Sequence, residues 1–237
     1  MKTVFSILAL SFLVSCNFNY RSVSGSGNII KEDRQVSGFT GIDAAGPMDV
    51  EVKMGTEFHV TVETDDNLQR YVIIRREGNS LVVKLSENIR VRDSKTMKVY
   101  VEMPMLKSVD VAGSGNVTCE GIIENNDKID VDVAGSGNVT MEVRTPAVSA
   151  STAGSGKTIL KGETKKLDVD IAGSGDIDAS ELKSEEGNVS IAGSGNVKLF
   201  SSLKLDVSIV GSGDVLYYGS PSISQSVIGS GNIKKGQ

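Results

Sequence analysis

From Ser108 onward, apolar and polar residues alternate, and Gly-Ser-Gly interrupts the alternation at near-regular intervals. Two residues before the first glycine stand Val111, Val133, Thr152, Ile171, Ile191, Ile209 and Val227. Four before it stand Val109, Val131, Ala150, Val169, Val189, Val207 and Gln225. The position between them is polar: Asp110, Asp132, Ser151, Asp170, Ser190, Ser208 and Ser226. Past the second glycine comes a polar residue (Asn116, Asn138, Lys157, Asp176, Asn196, Asp214, Asn232), then an apolar or β-branched one (Val117, Val139, Thr158, Ile177, Val197, Val215, Ile233). A period of two is the signature of a strand with one buried face. Each unit therefore predicts a strand, a tight Gly-Ser-Gly corner, a second strand and a looser return.

The corners fall at Gly113 and Gly115, Gly135 and Gly137, Gly154 and Gly156, Gly173 and Gly175, Gly193 and Gly195, Gly211 and Gly213, and Gly229 and Gly231. Their first glycines are 22, 19, 19, 20, 18 and 18 residues apart. An earlier motif opens at Gly25, and Ala45-Gly46-Pro47-Met48-Asp49-Val50 reads as a degenerate copy. One unit exposes an apolar face it cannot bury alone. Stacking units about 4.8 Å apart pairs the strands and aligns like residues into ladders. The fold expected is all-β, a parallel β-helix (β-solenoid) with Gly-Ser-Gly corners, its short coils flattened into two main sheets. Hydroxyls of the corner serines are expected to bond along the ladder. Lys234 and Lys235 in the last copy read as charges that stop edge-to-edge growth.

Residues 39–105 are less regular than residues 106–237. They hold strand-like runs at Met48–Met54, Phe58–Glu63, Tyr71–Arg75, Leu81–Leu85 and Met97–Met103, with turns at Gly55-Thr56 and Gly78-Asn79. Asp65–Arg70 reads as a single helical turn and Ser86–Lys95 as a polar loop. This part is expected to continue the solenoid or pack on it, with hairpins.

Residues 1–15 read as a targeting segment. Lys2 supplies a positive start, and Val4–Val14 is apolar but too short to cross a bilayer as a helix. Leu13-Val14-Ser15-Cys16 resembles a bacterial lipobox, so Cys16 is the expected lipid attachment site and residues 16–38 a lipidated leading segment. Acyl chains would hold the protein at a membrane, at about 0.8 kcal/mol per buried methylene. The expected location is the cell envelope, at the outer membrane. With Cys16 acylated, Cys119 has no disulfide partner, so stability must come from packing.

Repeated Ala-Gly-Ser-Gly-Asn-Val, the lipobox, Val23-Ser24-Gly25-Ser26-Gly27-Asn28 and Gly38-Phe39-Thr40-Gly41-Ile42 together resemble the "putative auto-transporter adhesin, head GIN domain" family of Bacteroidota proteins. The resemblance spans roughly residues 23–235. It implies a right-handed β-helix similar to pectin-lyase-type folds without their catalytic residues, and a role in cell adhesion. It carries no catalytic positions onto this chain.

The net charge of −5 and the lack of a basic stripe argue against nucleic acid as a partner. His59 is the single histidine, in an alternating strand, so neither a zinc site nor a Ser-His-Asp set can be built around the corner serines. Cys119 shares the inward parity of Val117 and reads as a buried thiol. No cofactor is implied. Asp130/Asp132 and Asp168/Asp170 each put two carboxylates on one strand face, about 6.6 Å apart at Cα. Inverting glycosidases separate theirs by about 6.5–9.5 Å. Asp110 and Asp132 fall on neighbouring rungs, where a pair of carboxylates could take Ca²⁺. The favoured reading is a non-enzymatic adhesion or ligand-binding lipoprotein for a glycan or a cell-surface protein, with Asp110, Asp130, Asp132, Asp168 and Asp170 on its binding face. The alternatives are a polysaccharide-active enzyme using the Asp pairs and a purely structural envelope protein.

Overall fold

A computed structural model of the chain describes residues 21–124 and 127–237. Cys16 and the apolar segment before it lie outside the described residues. The strands in chain order are β1 (Arg21–Ser24), β2 (Ile29–Asp33), β3 (Gly41–Gly46), β4 (Asp49–Met54), β5 (His59–Asp65), β6 (Val72–Glu77), β7 (Ser80–Leu85), β8 (Ile89–Arg92), β9 (Met97–Met103) and β10 (Ser108–Gly113). They continue with β11 (Asn116–Glu124), β12 (Lys128–Gly135), β13 (Asn138–Gly154), β14 (Lys157–Gly173), β15 (Asp176–Gly193), β16 (Asn196–Gly211), β17 (Val215–Gly219), β18 (Ser222–Gly229) and β19 (Ile233–Lys235). From β10 onward the pairing is parallel, and the first glycines of successive corners stand opposite each other: Gly46 with Gly113, then Gly135, Gly154, Gly173, Gly193, Gly211 and Gly229. This is the β-solenoid expected from the repeat.

Two local features differ from the expectation. The stretch read as a looser return is strand, because β13 to β16 run unbroken from one corner to the next. Pairing therefore follows the coil round, and the walls belong to one 17-stranded sheet instead of two. Where successive rungs differ in length the ladder shifts register, near Thr118, Ile159 and Ala179, whereas β13 and β14 pair round the whole coil without a shift. Thr145, Thr164, Ser184 and Ser201 turn inward close to the bend and are buried. Their hydroxyls donate to main-chain carbonyls there, Thr164 to Lys166 at 3.2 Å and Ser201 to Lys204 at 2.8 Å. A buried polar group is tolerated when bonded in this way.

The corner explains the glycines. At Gly154 the backbone has φ +130°, and a Cβ would lie 2.4 Å from the Gly135 carbonyl oxygen of the preceding rung. Ser155 N–H donates to that same oxygen at 2.8 Å. Throughout the corner ladder, serine main-chain N–H groups make these bonds, as from Ser136 to Gly113 and from Ser174 to Gly154, both at 2.8 Å. The ladder thus runs through the main chain and not through the serine hydroxyls, because the glycine carbonyls point along the stack. Inside, the apolar columns on both sides of the corner form one continuous core.

The N-terminal part continues the stack. β3, the Gly46 corner and β4 form a rung beneath β10 and β11, as the degenerate copy implied. β7 and β9 pair in parallel on the other side of β3 and β4. Antiparallel strands then close that end: β6 on β7, β5 on β9 and β2 on β5. A 3-10 turn at Gln69–Tyr71 overlaps the helical turn read there. The polar stretch 86–95 is not simply a loop, since β8 within it pairs with β1. The motif at Gly25 is not a ladder corner. It wraps Asp65 and Asp66, with Gly27 N–H donating to Asp65 Oδ1 at 2.6 Å and the Ser26 hydroxyl to Asp66 Oδ1 at 2.5 Å.

Two stability tests follow from these contacts. Gly154→Ala should cost more than about 2 kcal/mol, because it adds a backbone clash to a left-handed φ. Gly27→Ala also has positive φ, but a Cβ there meets nothing within 4 Å, so the cost should stay near 1 kcal/mol. Equal losses in urea melts would refute the clash account. Thr152 and Thr158 occupy core columns otherwise filled by aliphatic residues, mostly Val and Ile, and their hydroxyls are buried without a partner. Thr152→Val and Thr158→Val should therefore each stabilise by about 1 kcal/mol in the same melts.

Candidate functional site

The alternation that buries Val and Ile turns every second residue outward, and register aligns these into columns. Asp43, Asp110, Asp132, Ser151, Asp170, Ser190, Ser208 and Ser226 form one column. Ser108, Asp130, Ser149, Asp168, Asn188, Asp206 and Ser224 form the next. All five aspartates singled out from the sequence therefore share one wall. Asp110 and Asp132 are direct neighbours. The pairs Asp130/Asp132 and Asp168/Asp170 are not brought together, because the rung carrying Ser149 and Ser151 separates them.

The two columns differ electrostatically. In the second, lysines two residues earlier on the same strand meet the carboxylates: Lys128 with Asp130 at 2.6 Å, Lys166 with Asp168 at 2.9 Å and Lys204 with Asp206 at 2.5 Å. Asp110, in the first column, sits between Asp43 and Asp132. Burial, and then the charges of Asp132, Asp43 and Asp130, hold its carboxyl above the usual range. Asp43 belongs to the same column but is not among the five aspartates read from the sequence, although the degenerate repeat at Gly46 fixes its place. Asp206 is not among them either, and the register of its copy would have found it. Among the described residues, no group of three or more His, Cys, Asp or Glu is arranged to hold a metal ion.

Along the corner runs a third column, bonded to itself. Asn116 Nδ2 donates to Asp49 Oδ1 at 2.7 Å, Asn138 Nδ2 to Asn116 Oδ1 at 2.7 Å, and Asn232 Nδ2 to Asp214 Oδ1 at 3.0 Å. Side-chain and main-chain donation from Asn232 holds the Asp214 carboxyl below its usual range. These groups satisfy one another and serve the stack.

The antiparallel end carries a polar cluster that the sequence did not reveal, because its members meet only through strand pairing. Tyr100 donates to Glu63 Oε2 at 2.6 Å, and the Lys31 ammonium lies 4.6 Å from the Tyr100 ring centre. Lys98 pairs with Glu51 at 2.6 Å. His59 is exposed, 3.0 Å from the Thr61 hydroxyl and 3.4 Å from Asp33. The depression lined by Glu51, His59, Tyr100 and Glu102 measures about 140 Å³. Cys119 is buried as its parity indicated, and burial pushes its thiol up to about 12, which leaves it a packing group.

A filled β-solenoid with register-aligned polar walls is a scaffold that presents surface. The chain belongs to the family described as "Putative auto-transporter adhesin, head GIN domain", whose profile matches residues 38–221. Among solved structures it is similar to a putative adhesin from Bacteroides fragilis NCTC 9343, with 26% identity and a TM-score of 0.85 over 90% of this chain and 99% of that one. It is also similar to a protein described as a putative lipid binding protein from Parabacteroides distasonis ATCC 8503, at 26% identity and TM-score 0.80, over 92% and 100% of the two chains. A putative adhesin from Parabacteroides merdae ATCC 43184 shares the fold at TM-score 0.70 and 24% identity, over 91% and 99%. No curated protein sequence matches the chain. Family and neighbours together support an adhesin-like role.

The raised carboxyl of Asp110 has a pH consequence. The folded chain binds this proton more tightly than the unfolded chain does, so ionised Asp110 costs stability above its folded pKa, and the cost fades as pH falls through that value. Asp110→Asn should raise Tm by about 2 °C near neutral pH, and the gain should shrink under acid conditions. A gain independent of pH in thermal melts would count against this.

Proposed function

We propose that the protein is a non-enzymatic adhesion module of the cell envelope, tethered to the outer membrane through acylated Cys16 and binding a glycan or a cell-surface protein along its outward polar wall. The observation that carries this reading is the register of that wall. Hydroxyl, amide and carboxylate groups repeat on successive rungs about 4.8 Å apart, mounted on a rigid core. Such a wall offers an extended partner many weak, parallel contacts, whose sum can exceed any single affinity. The adhesin description of the family supports the same reading. In the polysaccharide-active alternative, ion pairing counts against Asp130 and Asp168 as the general acid and leaves that part to Asp132 or Asp170. Asp130 and Asp168 are each ion-paired to a lysine, whereas a general acid needs a carboxyl kept protonated by an apolar setting.

The test is a glycan-array and matrix-protein binding screen with the full chain in detergent, run with and without calcium. Specific binding without product is expected, weakened about tenfold by Asp170→Ala as one charged hydrogen bond is lost. Calcium dependence removed by Asp110→Asn would assign Asp110 and Asp132 a cation. Turnover of a glycan that Asp170→Ala abolishes would replace the adhesin with the enzyme.

A further inference from the structure

The last rung differs from the others. β18 pairs with β16 along one edge, in register from Lys204 opposite Ser222 to Gly211 opposite Gly229. Among the described residues, no strand pairs in register with its other edge. Alternate main-chain N–H and C=O groups there lack a ladder partner, which makes the edge a template for another strand. Folded proteins commonly guard such edges with charge, but Ser222-Ile223-Ser224-Gln225-Ser226-Val227-Ile228-Gly229 contains none. The lysines expected to serve as the guard, Lys234 and Lys235, stand on β19, opposite Leu216 and Tyr217 of β17.

The inner columns are also left open here. Ile223 and Val227 lie in register with Leu205 and Ile209, which are fully buried, yet they remain 37% and 40% exposed. The opposite end of the solenoid is unlike this one. It is closed by antiparallel β2, with Lys31, Glu32 and Asp33, and β6, with Arg75, Arg76 and Glu77. A neutral edge of serine and isoleucine finds no match on those charged strands, so head-to-tail stacking into a fibre is disfavoured.

We propose that the free edge of β18 is a self-association surface, on which β18 of a second copy lies antiparallel about a two-fold axis at Gln225. Strand register makes this arrangement self-complementary. With Gln225 opposite its own copy, Ile223 meets Val227 of the other copy and Ser224 meets its Ser226. Charge points to the same partner at the strand itself, since neutral β18 meets neutral β18 while Lys234 and Lys235 of the same rung stand on the other wall, on β19. Side chains on one face of an antiparallel pair stay on that face, so the two cores join into one and the open columns are covered. The contact is isologous and closes as a dimer.

The experiment uses the full chain in detergent. Sedimentation should find a dimer at about 10 µM protein. Val227→Lys should yield a monomer whose circular dichroism and melting match the parent. Antiparallel pairing brings the two Gln225 Cα atoms about 4.5–5.5 Å apart, within disulfide reach. Gln225→Cys, oxidised with copper phenanthroline in air, should therefore give a covalent dimer. Ser190→Cys, exposed in mid-wall, should cross-link no more than the parent chain. A parent chain monomeric at that concentration, equal cross-linking of the two cysteine variants, or growth into long oligomers would each overturn the proposal.

Discussion

Stacking at the Gly-Ser-Gly corner sets the position of every other part. From Gly113 onward the first glycine of each corner lies so close to the corner below that its missing Cβ is a requirement, and the adjacent serine N–H donates to the carbonyl exposed by that approach. Once two corners are locked in this way, register is fixed on both sides of them. A slip of one residue would turn the Val and Ile columns outward and the Asp and Ser columns into the core. The same constraint lets long strands bend round the coil, because small hydroxyl residues at the bend bond the carbonyls there.

Repetition creates a difficulty at the ends, since a parallel ladder has no internal reason to stop. At the N-terminal end the chain departs from the repeat, places β7 and β9 below the first corner and covers them with antiparallel strands bearing charge. At the other end β18 keeps the repeat pattern in its main chain but fills it with serine and isoleucine. The asymmetry separates an end that resists pairing from one that accepts it.

A filled solenoid presents its walls. The core is filled with aliphatic side chains, so chemistry is carried by whatever alternation turns outward, and register multiplies each choice along the axis. Lysine beside Asp130, Asp168 and Asp206 keeps one column nearly neutral. The neighbouring column gathers carboxylates on successive rungs at Asp43, Asp110 and Asp132, and burial together with these neighbours raises the carboxyl in the middle. The family description, and the putative adhesin from Bacteroides fragilis to which the chain is similar, are in keeping with an adhesin-like role.

The repeat made most of the fold legible in the sequence. Period two gave the inward and outward faces, and the spacing of the glycines gave the rungs. Equal distance from each corner gave the columns, so the adjacency of Asp110 and Asp132 followed from counting. These features are local or strictly periodic, and a linear pattern records them. What the tertiary structure decided depends on contacts without a period. The motif at Gly25 has the same letters as a corner, yet it binds Asp65 and Asp66, because no rung lies beneath it. Tyr100, Glu63 and Lys31 meet through antiparallel pairings whose partners are 37 and 32 residues apart along the chain. Among the described residues no strand lies beside the outer edge of β18, and the residues of β18 alone do not specify what pairs there.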